Sequence, residues 1–210
     1  AGVQTCALPI SAIALAYENC ENDIMRRPPR KRYDNLVTSR LISFSYFQIG
    51  VVQALAGFFT YLSVLYTEGY HPSTLPWRGW DFWIKDMSPI GGFTNMENMK
   101  SLGKAQTAFF ISIIVVQWAD ILICKTRKLS LFEQGMKNDY LNLGLIFETV
   151  LGAFLVYTPG ISVVFGMQPL EFQYWLPALP FSILIIAYDE IRKTIMRKYP
   201  AGWVERKTYW

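Results

Sequence analysis

Two carboxylates stand where an apolar environment penalises them. Asp120 follows the charge-free stretch Ala105–Ala119, and Glu148 precedes the charge-free stretch Thr149–Leu170. An aspartate near the centre of a spanning helix costs roughly 2.5 to 3.5 kcal/mol on insertion scales, less toward the ends, so a partner or a cavity must compensate. Gln117, three residues before Asp120, shares its helical face. Glu148 lies nine residues beyond Asp139, about 13 Å along a helix and well inside a bilayer. Gly144 and Gly152 flank it at four residues on either side, a spacing that opens a groove to a neighbouring helix. Carboxylates that exchange between proton-bound, cation-bound and empty forms equip ion pathways. Two of them with an amide supply oxygens suited to a hard cation such as Na+, although complete coordination needs more oxygens than these residues provide. Blander alternatives are an ion pair between Asp120 and Lys125, one turn away, and a neutral Glu148 hydrogen-bonded to a helix.

The elements that position these residues are membrane helices. Four charge-free runs, Leu41–Thr67, Ala105–Ala119, Thr149–Leu170 and Phe172–Tyr188, approach or exceed the roughly 20 apolar residues that cross about 30 Å of hydrocarbon. The predicted fold is all-α, a four-helix transmembrane bundle with spans at about 41–66, 105–124, 141–165 and 172–189. In the first span the small residues Gly50, Ala54 and Gly57, with Ala56 adjacent, suit close helix packing, and Gln48 and Gln53 should face protein. Loop charges give the orientation. Glu18–Arg40 holds six basic and four acidic residues, Tyr66–Lys104 four of each, Lys125–Asp139 four basic and two acidic, and the tail from Asp189 six basic and three acidic. Excess Lys and Arg marks the cytoplasmic side, which places both termini there.

Other features carry less chemistry. Cys6, Cys20 and Cys124 have no CxxC spacing, and the lone histidine, His71, sits in a Pro- and Gly-containing loop. Neither a disulfide framework nor a metal site of that type is implied. No P-loop and no nucleophile with a base partner is present, so ATP hydrolysis does not belong to this stretch. The basic run Arg26, Arg27, Arg30, Lys31 and Arg32 reads as an orienting, lipid-facing loop, and no nucleic-acid partner is expected. Trp77, Trp80, Trp83 and Phe93 make the external loop aromatic enough to pack on a partner or to form an interfacial belt. Arg127, Lys128, Leu129 and Ser130 have the order of a basophilic kinase site, with a purely topological role for the cations as the alternative.

The strings Val115-Val116-Gln117-Trp118-Ala119-Asp120, Cys124-Lys125-Thr126-Arg127, Gln134-Gly135-Met136-Lys137-Asn138, Tyr188-Asp189-Glu190-Ile191-Arg192-Lys193 and Gly202-Trp203-Val204-Glu205 resemble the alpha subunits of Na+/K+-transporting P-type ATPases. The resemblance runs from about Ala12 to Trp210 and covers the end of that family's sixth helix and all of helices seven to ten. It therefore adds the cytoplasmic end of a preceding helix to the four spans. Proton/potassium pumps are the neighbouring family. The resemblance implies that Asp120, Glu148 and Gln117 belong to a sodium site or its cytoplasmic access route, as part of a site whose other oxygens come from missing helices. It implies a regulatory kinase site at Ser130 and a sodium-affinity-tuning tail at Tyr209 and Trp210. The family usually ends in two tyrosines and has a glutamate where Lys207 stands here.

Partners follow from the same resemblance: the N-terminal part of the pump, a beta subunit, a small single-span regulatory subunit, Na+ and K+, and the lipid of a plasma membrane. The family's external Ser-Tyr-Gly-Gln-Gln-Trp motif aligns with Ser88-Pro89-Ile90-Gly91-Gly92-Phe93, so Ser88 and Phe93 alone carry the beta contact. In the first span Ala56 replaces one glycine of a usual pair. No cofactor is expected in this stretch, whereas ATP and Mg2+ serve the parent pump, a translocase. Residues 1–11 fit poorly, with Gln4 and Leu8 where the family has ion-binding aspartates, and they resemble a translated sequencing adapter. They are expected to be non-native, leaving 12–210 as a fragment of the transport domain. Readings of other classes are an assembly module whose carboxylates are merely paired, and a small independent channel.

Overall fold

In a bilayer, lipid tails are as apolar as leucine, so helices associate through close packing and interhelical polar contacts rather than through escape from water. The computed structural model describes residues 13–18, 25, 37–70, 95–126, 128–136, 138–200 and 202–208. Among these every regular element is helical, as expected for an all-α membrane bundle. Helix α1 runs Ser39–Thr67, α2 Asn95–Cys124, α3 Asp139–Tyr157, α4 Leu179–Lys198 and α5 Trp203–Thr208. Three of them, α1, α2 from Met99, and α3, are long and apolar enough to cross a membrane. The fourth charge-free run folds differently. Residues Phe172–Ala178, which include Pro177, form a 3₁₀ stretch that leads into α4, whose second half is charged.

Local chemistry sets the helix ends. Thr38 caps α1, its Oγ1 accepting from the Leu41 N–H at 3.2 Å. Phe44–Ile49 then widens into a π turn before regular helix resumes at Gly50. Asn138 caps α3, with Oδ1 accepting from the Leu141 N–H at 3.1 Å. That helix ends at Tyr157, because Pro159 cannot continue a hydrogen-bonded helix and Gly160 adopts φ of 95°. The short helix Ile161–Val164 follows.

Contacts group into two compact units, and the division falls inside the long helices. The unit made of Ala54–Val116 and Val150–Pro180 is built on close approaches. A Cβ at Gly57 would lie 2.6 Å from Phe109 Cε2, and a Cβ at Gly152 would collide with Ile114. Phe58 and Phe109 meet edge to face at 5.7 Å, a geometry aromatic quadrupoles favour. Of the small residues here, Ala56 and Gly57 lie on the buried face of α1 with Thr60, Val64 and Leu65, whereas Ala54 is exposed. Polar bonds tie the helix ends. Glu68 accepts from Lys104 at 2.7 Å and from Ser101 at 2.9 Å, the Tyr157 hydroxyl donates to the Leu170 carbonyl at 2.8 Å, and Trp175 donates to that hydroxyl at 3.2 Å.

The unit made of Ala1–Gln53, Gln117–Thr149 and Phe181–Trp210 carries most of the charges. Ala14, Ile121 and Leu141 form its small apolar cluster, with Leu15 and Leu145 packed on it. Tyr188 donates to the Gln48 amide oxygen at 2.6 Å, so Gln48 does face protein.

Candidate functional site

Asp120, Gln117 and Glu148 all belong to this charged unit. Asp120 sits on the last turns of α2 and is half-buried. Its Oδ1 is inaccessible and has no hydrogen-bond partner among the described residues, as is also true of Trp118 Nε1. A buried carboxylate oxygen without a donor is costly, and such orphans concentrate at sites completed by something else. Gln117 is half-buried one turn earlier. Glu148 is 4% exposed on α3, and Gly144, one turn before it, is buried as well.

The local partner considered for Asp120 is engaged elsewhere. Lys125 is fully buried, and its ammonium donates to the Gly135 carbonyl at 2.6 Å and lies 3.3 Å from Glu18 Oε1. Glu18 in turn accepts from Asn138 Nδ2 at 2.9 Å. The cation one turn beyond Asp120 thus ties the start of α3 and the 13–18 segment together instead of neutralising the aspartate. Among the described residues no three His, Cys, Asp or Glu side chains converge to hold an ion.

Ser130 is buried at the head of the short helix Leu131–Gln134. Its hydroxyl donates to Glu190 Oε2 at 2.8 Å and accepts from the Phe132 N–H at 3.3 Å, while the Leu131 N–H donates to Glu190 Oε1 at 2.7 Å. The spacing Ser130 to Glu133 is a capping-box signature that the kinase-motif reading passes over. Ser88, Phe93, Tyr209, Trp210 and residues 1–11 lie outside the described residues.

A cluster not anticipated as functional occupies the charged half of α4. Asp189, Arg192 and Lys193 are buried. Asp189 Oδ1 accepts from Arg192 Nε at 3.0 Å and Nη2 at 2.7 Å, and its Oδ2 pairs with Lys193. Arg192 also donates to the Thr208 carbonyl of α5 at 3.1 Å and stacks 4.5 Å from the Phe44 ring of α1. The spacing of three and four residues was a legible signal, since it places opposite charges on one helical face. Counting these residues as topology charges concealed it.

Residues 7–195 match the family model described as "Cation transporting ATPase, C-terminus". The chain is 51% identical over 207 residues to the sodium/potassium-transporting ATPase subunit alpha of Hydra vulgaris, 50% identical over 209 residues to the human subunit alpha-4, and 49% identical over 207 residues to the Bos taurus subunit alpha-2. Each alignment covers 96% of this chain and 20% of the relative. The chain therefore spans about a fifth of the length of these relatives, and it belongs to the family of cation-transporting ATPase C-terminal regions.

Proposed function

We propose that this chain is the C-terminal transport region of a sodium/potassium-exchanging ATPase alpha subunit, and that it contributes Asp120, Glu148 and Gln117 to a Na+ site or its access route. The observation that carries the proposal is the Asp120 carboxylate. One of its oxygens is buried in an apolar helix with no hydrogen-bond partner among the described residues, and the nearest lysine in sequence is committed to Gly135 and Glu18. The half-identity to sodium/potassium-transporting alpha subunits supports reading that carboxylate as a place for Na+. The remaining oxygens come from helices earlier in the full-length protein, and ATP with Mg2+ acts in that earlier part. The pump exports Na+ and imports K+ across the plasma membrane, with four spans in this region and both termini cytoplasmic. A beta subunit docks externally near Ser88 and Phe93, a small single-span subunit can associate, Ser130 is a kinase target, and Tyr209 and Trp210 tune Na+ affinity.

Substitution in the full-length subunit tests the site. Asp120→Asn or Glu148→Gln is expected to raise the half-activating Na+ concentration of ATP hydrolysis by about ten- to a hundredfold while leaving K+ activation near normal. Unchanged Na+ activation at matched membrane abundance refutes the assignment and favours an assembly role.

A further inference from the structure

Lysine is among the residues least often fully buried, yet Lys193 is at 0% exposure. Its ammonium reaches three places: Asp189 Oδ2 at 2.5 Å on its own helix, Thr126 Oγ1 at 2.8 Å in the turn after α2, and the Ile123 carbonyl at 3.4 Å in the last turn of α2. Last-turn carbonyls have no partner inside their own helix and carry the negative end of its dipole. An ammonium there completes their hydrogen bonding and is favoured electrostatically. The direction of Lys193 is itself fixed, because Arg192 holds the other oxygen of Asp189 through two N–H donors. Ile123 lies three residues after Asp120, so the two are neighbours on one helical face.

We infer that Lys193 is a positioning residue for Asp120. By holding the Ile123 carbonyl and the Thr126 hydroxyl, it fixes the last turn of α2 and with it the depth and rotation of the Asp120 carboxylate. Rigid support of this kind changes ion affinity without touching the ion, as outer partners do at other metal sites. The inference rests on the reading of Asp120 as a Na+ residue and adds a residue from another helix to it.

The test uses the full-length subunit carrying Lys193→Met, Thr126→Val, Asp120→Asn or the Lys193→Met/Asp120→Asn pair. Na+ and K+ activation of ATP hydrolysis are measured at matched membrane abundance. Lys193→Met is expected to raise the half-activating Na+ concentration by about tenfold, to leave K+ activation unchanged, and to add nothing in the pair beyond Asp120→Asn alone. Thr126→Val buries no unpaired charge and is expected to shift Na+ activation in the same direction by a smaller factor. It decides the matter if Lys193→Met does not reach the membrane. Unchanged Na+ activation in the deciding variant, or multiplied effects in the pair, overturns the inference. If Asp120→Asn raises the Na+ requirement and Lys193→Met does not, the inference alone falls. If Asp120→Asn has no effect, the reading of Asp120 falls and takes the inference with it.

Discussion

Removal of the Asp189 carboxylate should be among the most destabilising single changes in the charged unit. Asp189→Asn leaves Arg192 and Lys193, whose side chains are 6% and 0% exposed, as two buried cations without the carboxylate they share. Breaking a buried pair by deleting one partner costs about 3 to 5 kcal/mol, because the surviving charge stays desolvated and unpaired. The exposed pair between Arg197 and Glu133, at 3.5 Å with side chains 33% and 61% accessible, supplies the contrast. Such pairs contribute about 1 kcal/mol at most, so Glu133→Ala should be nearly silent. Apparent melting of the full-length subunit in detergent, followed by fluorescence-detected size exclusion, separates the two. Asp189→Asn is expected to melt well below the parent, and Asp189→Asn combined with Lys193→Met to recover part of the loss by removing one stranded cation. Equal melting of Asp189→Asn and Glu133→Ala, or no recovery in the combined variant, would refute the assignment of these charges to a low-dielectric interior.

Three further outcomes follow from the geometry. Ser130→Ala removes the cap of the Leu131–Gln134 helix and the hydroxyl bond to Glu190, for a loss of about 1 kcal/mol, visible as faster proteolysis between α2 and α3. Because the Ser130 hydroxyl is buried against a carboxylate, kinase-catalysed phosphate incorporation should be slow in the folded subunit and should speed up when Glu190→Gln loosens the loop. Gly57→Val is expected to destabilise by about 1 to 3 kcal/mol through overlap with Phe109. Gly57→Ala should cost less in the same melting assay, because part of the overlap is offset by better helix propensity.

The carboxylates were legible because hydropathy makes a single charge conspicuous: Asp120 and Glu148 interrupt runs that otherwise read as lipid-facing. The first two long helices were legible for the same reason. The end of α3 was less so. A count of missing charges runs on through Thr158, Pro159 and Gly160 to Leu170, whereas the backbone stops at Tyr157, where the proline lacks an N–H and the glycine takes a left-handed turn. The packed face of α1 was half legible. Any small residue can admit a neighbour, but only the position of Phe109 decides that Gly57 is the one that must stay small.

Charges near helix ends were the hardest to read, since a topogenic lysine and a structural one look alike in sequence. Lys125, one turn from Asp120, had an obvious partner by spacing, yet it pairs with Glu18, more than a hundred residues away in the chain. Lys193 and Arg192 looked like tail charges and instead close the interior around Asp189. Buried cations of the charged unit find anions and backbone carbonyls, and the nearest of them to Asp120 in sequence binds Gly135 and Glu18. Among the described residues one oxygen of Asp120 thus has no hydrogen-bond partner, although a lysine lies five residues away in sequence. The proposed Na+ reading of Asp120 rests on that oxygen, since a carboxylate buried in an apolar helix is costly without a compensating partner.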